Sequence, residues 1–190
     1  MRKNLRLSSR FSILSSALVL FLGACAGGGH YPRQGKLPHH KVVLKVPFFP
    51  DYKDQCGPAA LASVLAFWHS NPSLLAIRDE VYQAPLRGAL SVDMYLSAKN
   101  HGLEAEMVEG DYPTLRRELD AGRPVIAFLD VGPWFEPQGH YVVVTGYDLR
   151  RNGLYAHSGM FKNRFFPTVE FMNAWQRTGR WALLVAPAAS

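Results

Sequence analysis

The sequence predicts an α+β domain in which N-terminal helices pack on a mostly antiparallel sheet. Three observations predict this class. Apolar residues recur at helical spacing between residues 57 and 121, whereas β-branched and aromatic runs of strand length follow from residue 125 onward. An Arg-Asn-Gly turn at 151–153 joins two of these runs as a hairpin. Helices that precede the strands, rather than alternate with them, are typical of α+β proteins.

Four helices are predicted, over residues 57–68, 73–82, 92–100 and 114–121. In the first of them, Pro58 suits the opening turn, where a missing N–H costs nothing. Ser91 is the predicted N-cap of the third helix. Gly102 and Gly122 are predicted to stop the third and fourth helices.

Strands are predicted on both sides of these helices. A first strand covers residues 41–49 and ends at a Pro-Asp turn. The later strands are predicted over residues 125–131, 140–147, 154–157 and 181–185, and residues 165–177 are predicted to form a loop and a short helix. A chain of 190 residues with 48% hydrophobic and 19% charged residues suits one globular domain.

The first 24 residues have the features of an export signal. Four basic residues among the first ten precede an apolar stretch over 11–22, which is too short for a typical membrane span. The stretch ends in the sequence LGAC, whose cysteine is Cys25, and this resembles the lipobox of bacterial lipoproteins. The resemblance implies cleavage before Cys25 and attachment of acyl chains such as palmitate to it. The alternative is an ordinary signal peptide with an incidental cysteine.

These features divide the chain into a signal peptide (1–24), a lipid-anchored flexible linker (25–40) and one globular domain (41–190). Ala26 follows the cysteine where an Asp would favour retention, so by analogy we expect an outer-membrane anchor that faces the periplasm. The histidines of the linker can bind a metal, but a solvated tether is the favoured interpretation. The chain has two cysteines, so a lipid on Cys25 leaves Cys56 without a disulfide partner.

The charge of the chain gives no support to nucleic-acid binding. The formal net charge is +6, from 21 basic and 15 acidic residues. Four of the basic residues and none of the acidic ones lie in the predicted signal, so the remainder carries +2. Without a basic stripe interleaved with aromatic residues, we expect no nucleic-acid partner.

Three features of the sequence suit a thiol nucleophile. Cys56 lies at the predicted start of a helix, where the helix dipole favours thiolate over thiol and predicts a depressed pKa. His140 opens a predicted strand and can face a thiol on a neighbouring helix. Backbone N–H groups around Cys56 and the side chain of Gln55 can donate hydrogen bonds to an oxyanion.

Two segments that contain Cys56 and His140 resemble the C39-type cysteine peptidase-like domains. They are QCGPAAL at 55–61 and GHYVVVTG at 139–146, and the likeness extends over about residues 42–185. The resemblance implies a papain-like fold, with Cys56 as nucleophile and His140 as general base and then acid. It implies cleavage of a peptide bond through a thioester. Leader-cleaving relatives cut after a pair of small residues, and the loop at 132–135 is a candidate cleft wall.

The chain departs from the family pattern at two places. Relatives commonly carry a Gln several residues before the cysteine as oxyanion donor, and the aligned position holds Asp51, which cannot donate when ionised. Relatives also carry an Asp or Asn on the strand after the histidine strand, where this chain has no carboxylate. His157 or Ser158 is a candidate to orient His140, and Asp148 is a candidate to reach it from the strand end. A thiol and imidazole pair can also act without a third member.

Other interpretations of these residues stay open. A lone buried cysteine is often inert, and His157 and Asp148 are often structural. Cys56, His140 and His157 match no zinc motif, so we expect no metal or other cofactor. The favoured function is a membrane-anchored cysteine peptidase for a secreted or exported peptide, with an export or secretion system as candidate partner. The alternatives are a weak or inactive peptide-binding accessory module of an export system, and acyl transfer or amide hydrolysis on a cell-wall substrate.

Overall fold

The computed structural model describes residues 40–70 and 72–188. Its helices are α1 (Cys56–Phe67), α2 (Leu74–Val81), α3 (Ser91–Asn100), α4 (Tyr112–Asp120) and α5 (Thr168–Gln176). Its strands are β1 (Lys41–Val43), β2 (Tyr82–Gln83), β3 (Gly88–Ala89), β4 (Glu104–Glu109), β5 (Val125–Asp130), β6 (Gly139–Asp148), β7 (Gly153–Ser158), β8 (Phe161–Pro167) and β9 (Trp181–Ala186).

A seven-stranded sheet forms the centre of the domain. Its strand order is β4-β9-β5-β6-β7-β8, and every pairing is antiparallel. The short strand β1 pairs with β6 at Gly146–Asp148, beyond the part of β6 that pairs with β5. Gly146 allows this approach, because a Cβ there would lie 2.1 Å from the carbonyl oxygen of Val42. The predicted α+β class with a mostly antiparallel sheet is confirmed.

Helices cover both faces of the sheet and bury two hydrophobic clusters. On one face, α1, α2 and α3 pack against alternate residues of β5, β6 and β9, such as Ile126, Val143 and Leu183. On the other face, α4 and α5 pack against the intervening residues, such as Val142 and Val144. The strand period of two therefore divides each central strand between the two clusters. Burial on both faces explains why these strands are apolar almost throughout.

The predicted helices and central strands occur close to their expected positions. The first strand, predicted over residues 41–49, ends at Val43, and the short hairpin of β2 and β3 was not predicted. Two further differences lie at the sheet edges. Strand β4 was not predicted. Strand β8 was not predicted either, and its last three residues lie where a loop was expected. Both are edge strands, and both carry charged residues on exposed positions. Charged side chains are common at sheet edges because they oppose pairing with other chains, and they obscure the apolar pattern from which strands are predicted.

One predicted cap is also wrong. Ser91 is the first residue of α3 rather than its N-cap, which is Leu90 and provides no side-chain hydrogen bond. The hydroxyl of Ser91 instead lies 2.8 Å from the hydroxyl of Tyr141 on β6. Tertiary contact to the sheet therefore replaces the local capping interaction.

The predictions that concern the N-terminus fall on residues that the structure does not describe. The signal peptide 1–24, the lipidation of Cys25 and nearly all of the linker 25–40 lie outside the described residues. Among residues 40–70 and 72–188, no helix combines the length and apolar character that a bilayer span requires.

Candidate active site

The N-terminus of α1 places Cys56 against the sheet. The residue after it must be glycine, because a Cβ on Gly57 would lie 2.5 Å from the Cβ of Ala89 on β3. Pro58 has no N–H, and the N–H of Ala59 donates to the carbonyl of Gln55. The opening turn of α1 therefore leaves two backbone donors, those of Cys56 and Gly57, without a helical partner. Both of these N–H groups are directed at the Cys56 sulfur.

The loop before α1 is held in an unusual conformation. Lys53 and Asp54 both have positive φ angles, of 50° and 63°, which side chains adopt at some energetic cost. Asp54 also forms a solvent-exposed ion pair with Arg87 in the turn before β3, at a distance of 2.8 Å, and such exposed pairs contribute little to stability. Within the loop, the N–H of Gln55 donates to Oδ1 of Asp51 at 2.9 Å. The loop thereby folds the Asp51 carboxylate back towards the start of α1.

His140 is the second residue of β6, and Ser158 is the last residue of its neighbour β7. Nε2 of His140 lies 3.0 Å from Oγ of Ser158. Within residues 40–70 and 72–188, this bond leaves Nδ1 as the nitrogen available to a group in front of the ring. With a proton on Nε2 donated to Ser158, Nδ1 is the basic nitrogen.

The structure brings Cys56 and His140 together and adds Asp51 to them. The Cys56 sulfur, a ring nitrogen of His140 and a carboxylate oxygen of Asp51 all lie within 4.8 Å of one another. All three side chains are partly buried. Catalytic hydrogen bonds are often long in proteins without substrate and shorten when substrate binds, so this separation suits a pair that exchanges a proton.

The three side chains lie in an open groove of about 820 Å³. One wall is the segment from Leu86 to Ala89, and the other is formed by residues of β8 and the turn before it, including Met160 and Phe161. Val131 and Gln138 line the groove from the two ends of the β5–β6 loop, whereas Trp134 and Phe135 at its tip do not. Those two aromatic side chains are exposed to solvent, and none of residues 132–135 lines the groove, so the prediction that this loop forms a cleft wall is wrong.

Burial makes the resting pair neutral rather than ionic. Burial is the largest influence on Cys56 and raises the pKa of its thiol, and the negative charge of Asp51 acts in the same direction. The backbone N–H groups of Tyr141, Gly57 and Cys56 oppose the shift without cancelling it. Burial likewise lowers the pKa of the His140 imidazole, although Asp51 opposes this. The prediction of a depressed thiol pKa is therefore wrong, because desolvation outweighs the helix N-terminus.

His157 does not orient His140. The backbone N–H of Asn163 donates to its Nδ1 at 3.1 Å, so Nε2 carries the proton and donates to the carbonyl of Val46, also at 3.1 Å. Both nitrogens are thus used in holding the chain before α1 and the strand β8 against β7. The interpretation of His157 as a third catalytic member is corrected, and Ser158 occupies that place.

Asp148 also lies away from the site. It is the last residue of β6, eight residues from His140, which is a separation of about 26 Å along a strand. Its carboxylate accepts hydrogen bonds from the N–H groups of Arg150 and Arg151, at 3.0 and 3.1 Å, and lies 3.8 Å from Nζ of Lys41. Asp148 therefore stabilises the β6–β7 turn, and a role beside His140 is excluded by distance.

The placement of Gln55 does not support an oxyanion role for its side chain. Gln55 contacts the site through its backbone N–H, which holds Asp51, and its side chain lines neither the groove nor the small recess behind Cys56. The donor that sequence reasoning missed is the backbone N–H of Tyr141, which faces the Cys56 sulfur. No local signal identifies it, because its position depends on how β6 meets α1.

Comparisons with known proteins identify the family and agree with the fold. The model of the Peptidase_C39 like family matches residues 43–183. No curated protein matches the chain. Similar solved structures include the peptidase domain of Streptococcus ComA, a bifunctional ABC transporter involved in a quorum-sensing pathway. That domain is 27% identical, with a TM-score of 0.60, and the match covers 78% of this chain and 99% of that one.

Two further structures share the fold at lower identity. A double glycine motif protease from an AMS/PCAT transporter, solved in complex with the leader peptide, has a TM-score of 0.61 at 23% identity. The match covers 77% of this chain and 95% of that one. The peptidase domain of Streptococcus mutans ComA has a TM-score of 0.51 at 22% identity, with 78% of this chain and 100% of that one covered.

Proposed function

Since the chain belongs to the Peptidase_C39 like family, we propose that it is a cysteine peptidase that cleaves a secreted or exported peptide. Cys56 is the nucleophile, and His140 is the general base and then the general acid. The observation that carries the proposal is the approach of the sulfur and the imidazole nitrogen to within 4.8 Å at the floor of an open groove.

The first step starts from a neutral thiol and a neutral imidazole. As the sulfur attacks the carbonyl carbon of the substrate, the thiol proton moves to Nδ1 of His140. The carbonyl oxygen becomes an oxyanion beside the N–H groups of Cys56 and Gly57, which have no helical partner. The hydroxyl of Ser158 holds Nε2 of His140 and so keeps Nδ1 directed at the reacting atoms.

The second step releases the two products in turn. The tetrahedral intermediate collapses, the carbon–nitrogen bond breaks, and the leaving amine takes the proton from Nδ1. A thioester to Cys56 remains. His140 then removes a proton from water as the water oxygen attacks the thioester carbon, and the thiol regains a proton when the carboxylic acid leaves.

Asp51 acts on this reaction in two opposite ways. Its negative charge stabilises the imidazolium that His140 becomes, and it disfavours negative charge on the substrate oxygen and on the sulfur. The two Coulombic effects largely cancel in a transition state that holds both charges. The larger effect is that the Asp51 side chain cannot donate a hydrogen bond to the oxyanion. The reaction is therefore slower than in an enzyme with an amide side chain at this position.

The similar structures support the class of substrate and partner. One of them binds a leader peptide, and another belongs to an ABC transporter. The groove walls carry exposed apolar side chains, including Leu86, Met160 and Phe161, which suit an extended peptide segment. The proposed substrate is thus the leader of an exported peptide, and the export system that carries it is the proposed partner.

The proposal places the protein in the bacterial cell envelope, with an acyl anchor on Cys25 in the outer membrane and the domain facing the periplasm. The supporting observation is the LGAC sequence after a short apolar stretch. Fatty-acid labelling in cells tests it. The wild-type protein should incorporate a labelled acyl chain, and Cys25→Ser should not; equal labelling of both would contradict the anchor.

The catalytic proposal is tested with peptides that carry small-residue pairs and with the leaders encoded beside the gene. Wild type should cleave one of them, and Cys56→Ala should keep its circular dichroism spectrum and lose cleavage. Cys25→Ser is the matched cysteine control and should cleave like wild type in detergent. Cleavage by Cys56→Ala at the wild-type rate would contradict the role of Cys56.

A second candidate function is peptide binding without cleavage, as an accessory to export. Two observations favour it: Asp51 lies at the site with no amide donor, and burial raises the pKa of the Cys56 thiol. A peptide that binds wild type and Cys56→Ala with equal affinity, and that wild type leaves intact over hours, would identify the binding module.

A further inference from the structure

Three side chains with different ligand chemistry meet at the floor of the groove. Asp51 offers a carboxylate oxygen, Cys56 a sulfur and His140 an imidazole nitrogen, all within 4.8 Å of one another. They come from the loop before α1, from the first turn of α1 and from the start of β6. We propose that these three residues bind a zinc ion, which reversibly blocks the nucleophile.

The donor set favours zinc over the other common divalent cations. Thiolate and imidazole are ligands of zinc, whereas magnesium and calcium require oxygen ligands. Three protein ligands with a fourth position open to water are typical of zinc sites that are accessible from solvent. Here the fourth position faces the groove, which has about 820 Å³ of open space.

The geometry needs only a small adjustment. Zinc bonds of about 2.0–2.3 Å in a tetrahedral arrangement place neighbouring ligand atoms about 3.3–3.6 Å apart. The three atoms lie within 4.8 Å of one another, so each pair must close by at most about 1.5 Å. Rotation of the Asp51 and His140 side chains within an open groove provides such a movement without a change in the backbone.

Residues behind the ligands hold two of them in a metal-binding orientation. Ser158 lies 3.0 Å from Nε2 of His140, which leaves Nδ1 as the nitrogen that can bind the ion. The N–H of Gln55 donates to Oδ1 of Asp51 at 2.9 Å. Such outer hydrogen bonds fix the tautomer of a ligating histidine and the orientation of a carboxylate. The ligand set differs from Cys56, His140 and His157, because both nitrogens of His157 are already bonded.

Zinc binding and peptide cleavage exclude each other at this site. When zinc binds, the thiol proton is released to solvent and the sulfur becomes a zinc-bound thiolate. Zinc withdraws electron density from the thiolate, which makes it a poor nucleophile, and it occupies the one lone pair of Nδ1, so His140 cannot accept a proton. The binding of zinc stands independently of the proposed hydrolysis, whereas the inhibition by zinc rests on it.

Cobalt(II) replaces zinc as a spectroscopic probe. The test uses the full chain with Cys25→Ser in detergent, which leaves Cys56 as the one thiol. Thiolate coordination produces a charge-transfer band in the near ultraviolet, to which the linker histidines do not contribute. We expect the band to saturate at one equivalent of cobalt, to disappear on addition of zinc, and to be absent in Cys56→Ala.

The variants Asp51→Asn and Asp54→Asn form a matched pair. Asn at position 51 keeps the acceptor oxygen for the Gln55 N–H and removes the ligand charge, so cobalt affinity should fall by more than about tenfold, since even outer-shell losses cost about 10–100-fold. Asp54 lines the groove but lies outside the cluster, and its variant should bind as wild type does. His140→Ala should lose affinity as Asp51→Asn does.

Two results would overturn the zinc site. One is the absence of the cobalt band in wild type. The other is equal cobalt affinity in Asp51→Asn, His140→Ala and Asp54→Asn, which would reduce the binding to an isolated thiol. Peptide cleavage is measured separately in chelator. If the protein binds cobalt through Asp51 but cleaves no peptide, the peptidase proposal is contradicted and the zinc site stands. If it cleaves peptide in chelator but shows no cobalt band, the zinc site is contradicted and the peptidase proposal stands.

Discussion

Replacing Asp51 with Asn should make the Cys56 thiol more reactive. The carboxylate lies within 4.8 Å of the sulfur and raises the pKa of the thiol through its charge. Asn has nearly the same shape and retains the oxygen that accepts the Gln55 N–H. The substitution therefore removes the charge while it preserves the loop, and the electrostatic effect on the sulfur can be measured alone.

The size of the effect follows from Coulomb's law. Two unit charges no more than 4.8 Å apart repel by at least about 3 kcal/mol at an effective dielectric constant of about 20. Because the groove is open to water, we halve this value to about 1.5 kcal/mol, which gives about tenfold more thiolate at a pH below its pKa. A less basic thiolate is also a weaker nucleophile, by a factor of about three here. The net increase in alkylation rate is about threefold.

The assay is the rate of alkylation by iodoacetamide across pH, followed by intact mass. The background variant Cys25→Ser ensures that the label reports Cys56. In Asp51→Asn the midpoint of the pH–rate profile should move to lower pH and the rate near neutral pH should rise. Asp54→Asn removes an equal charge from an exposed ion pair with Arg87 and should change the rate less than twofold.

An unchanged or slower alkylation of Asp51→Asn, with an unchanged midpoint, would refute the argument. It would mean that water screens the carboxylate from the sulfur, or that the carboxylate faces away from it. An equal acceleration in Asp54→Asn would show that net charge, rather than the position of Asp51, controls the thiol.

Three further outcomes are expected. Asp51→Asn should raise kcat/KM for peptide cleavage by about tenfold, because its amide can donate to the oxyanion; a decrease would show that the carboxylate is needed by the imidazolium. Ser158→Ala should lower kcat by about tenfold with KM unchanged, since His140 loses its orienting hydroxyl, and Ser158→Thr should restore it; a loss that Thr does not restore would indicate a packing defect. Burial lowers the pKa of His157 and His140. The unfolded chain therefore binds more protons than the folded chain below about pH 6.5, and the free energy of unfolding should fall from pH 7 to 5. His157→Gln should lessen this fall in thermal denaturation, and a fall equal to that of wild type would contradict it.

Local pattern was sufficient to predict most of the fold. The helical spacing of apolar residues identified α1, and the β-branched runs identified β5 and β6, because burial imposes the same period on sequence and structure. The edge strands β4 and β8 escaped prediction because their exposed positions carry charges. An edge strand is defined by its pairing with a neighbouring strand, and that neighbour lies outside any short window of the sequence.

The sequence alone also indicated the residues at the centre of the site, but not their surroundings. Cys56 precedes Gly-Pro at a helix start, and His140 opens a strand, so both could be named. The choice between His157 and Ser158 as the neighbour of His140 depended on register. Successive strand residues point to opposite faces, and the β7–β8 pairing shifts by a bulge between Ala156 and Ser158.

The protonation state of the Cys56 thiol was decided by the tertiary structure. From the sequence, a cysteine at a helix N-terminus should ionise easily, because the helix dipole acts locally. The fold buries the sulfur and brings Asp51 beside it, and these two influences raise its pKa. Sequence determines which groups are present and which element each one begins or ends. Desolvation and charge proximity depend on distances between segments far apart in the chain, and only the packed domain sets those distances.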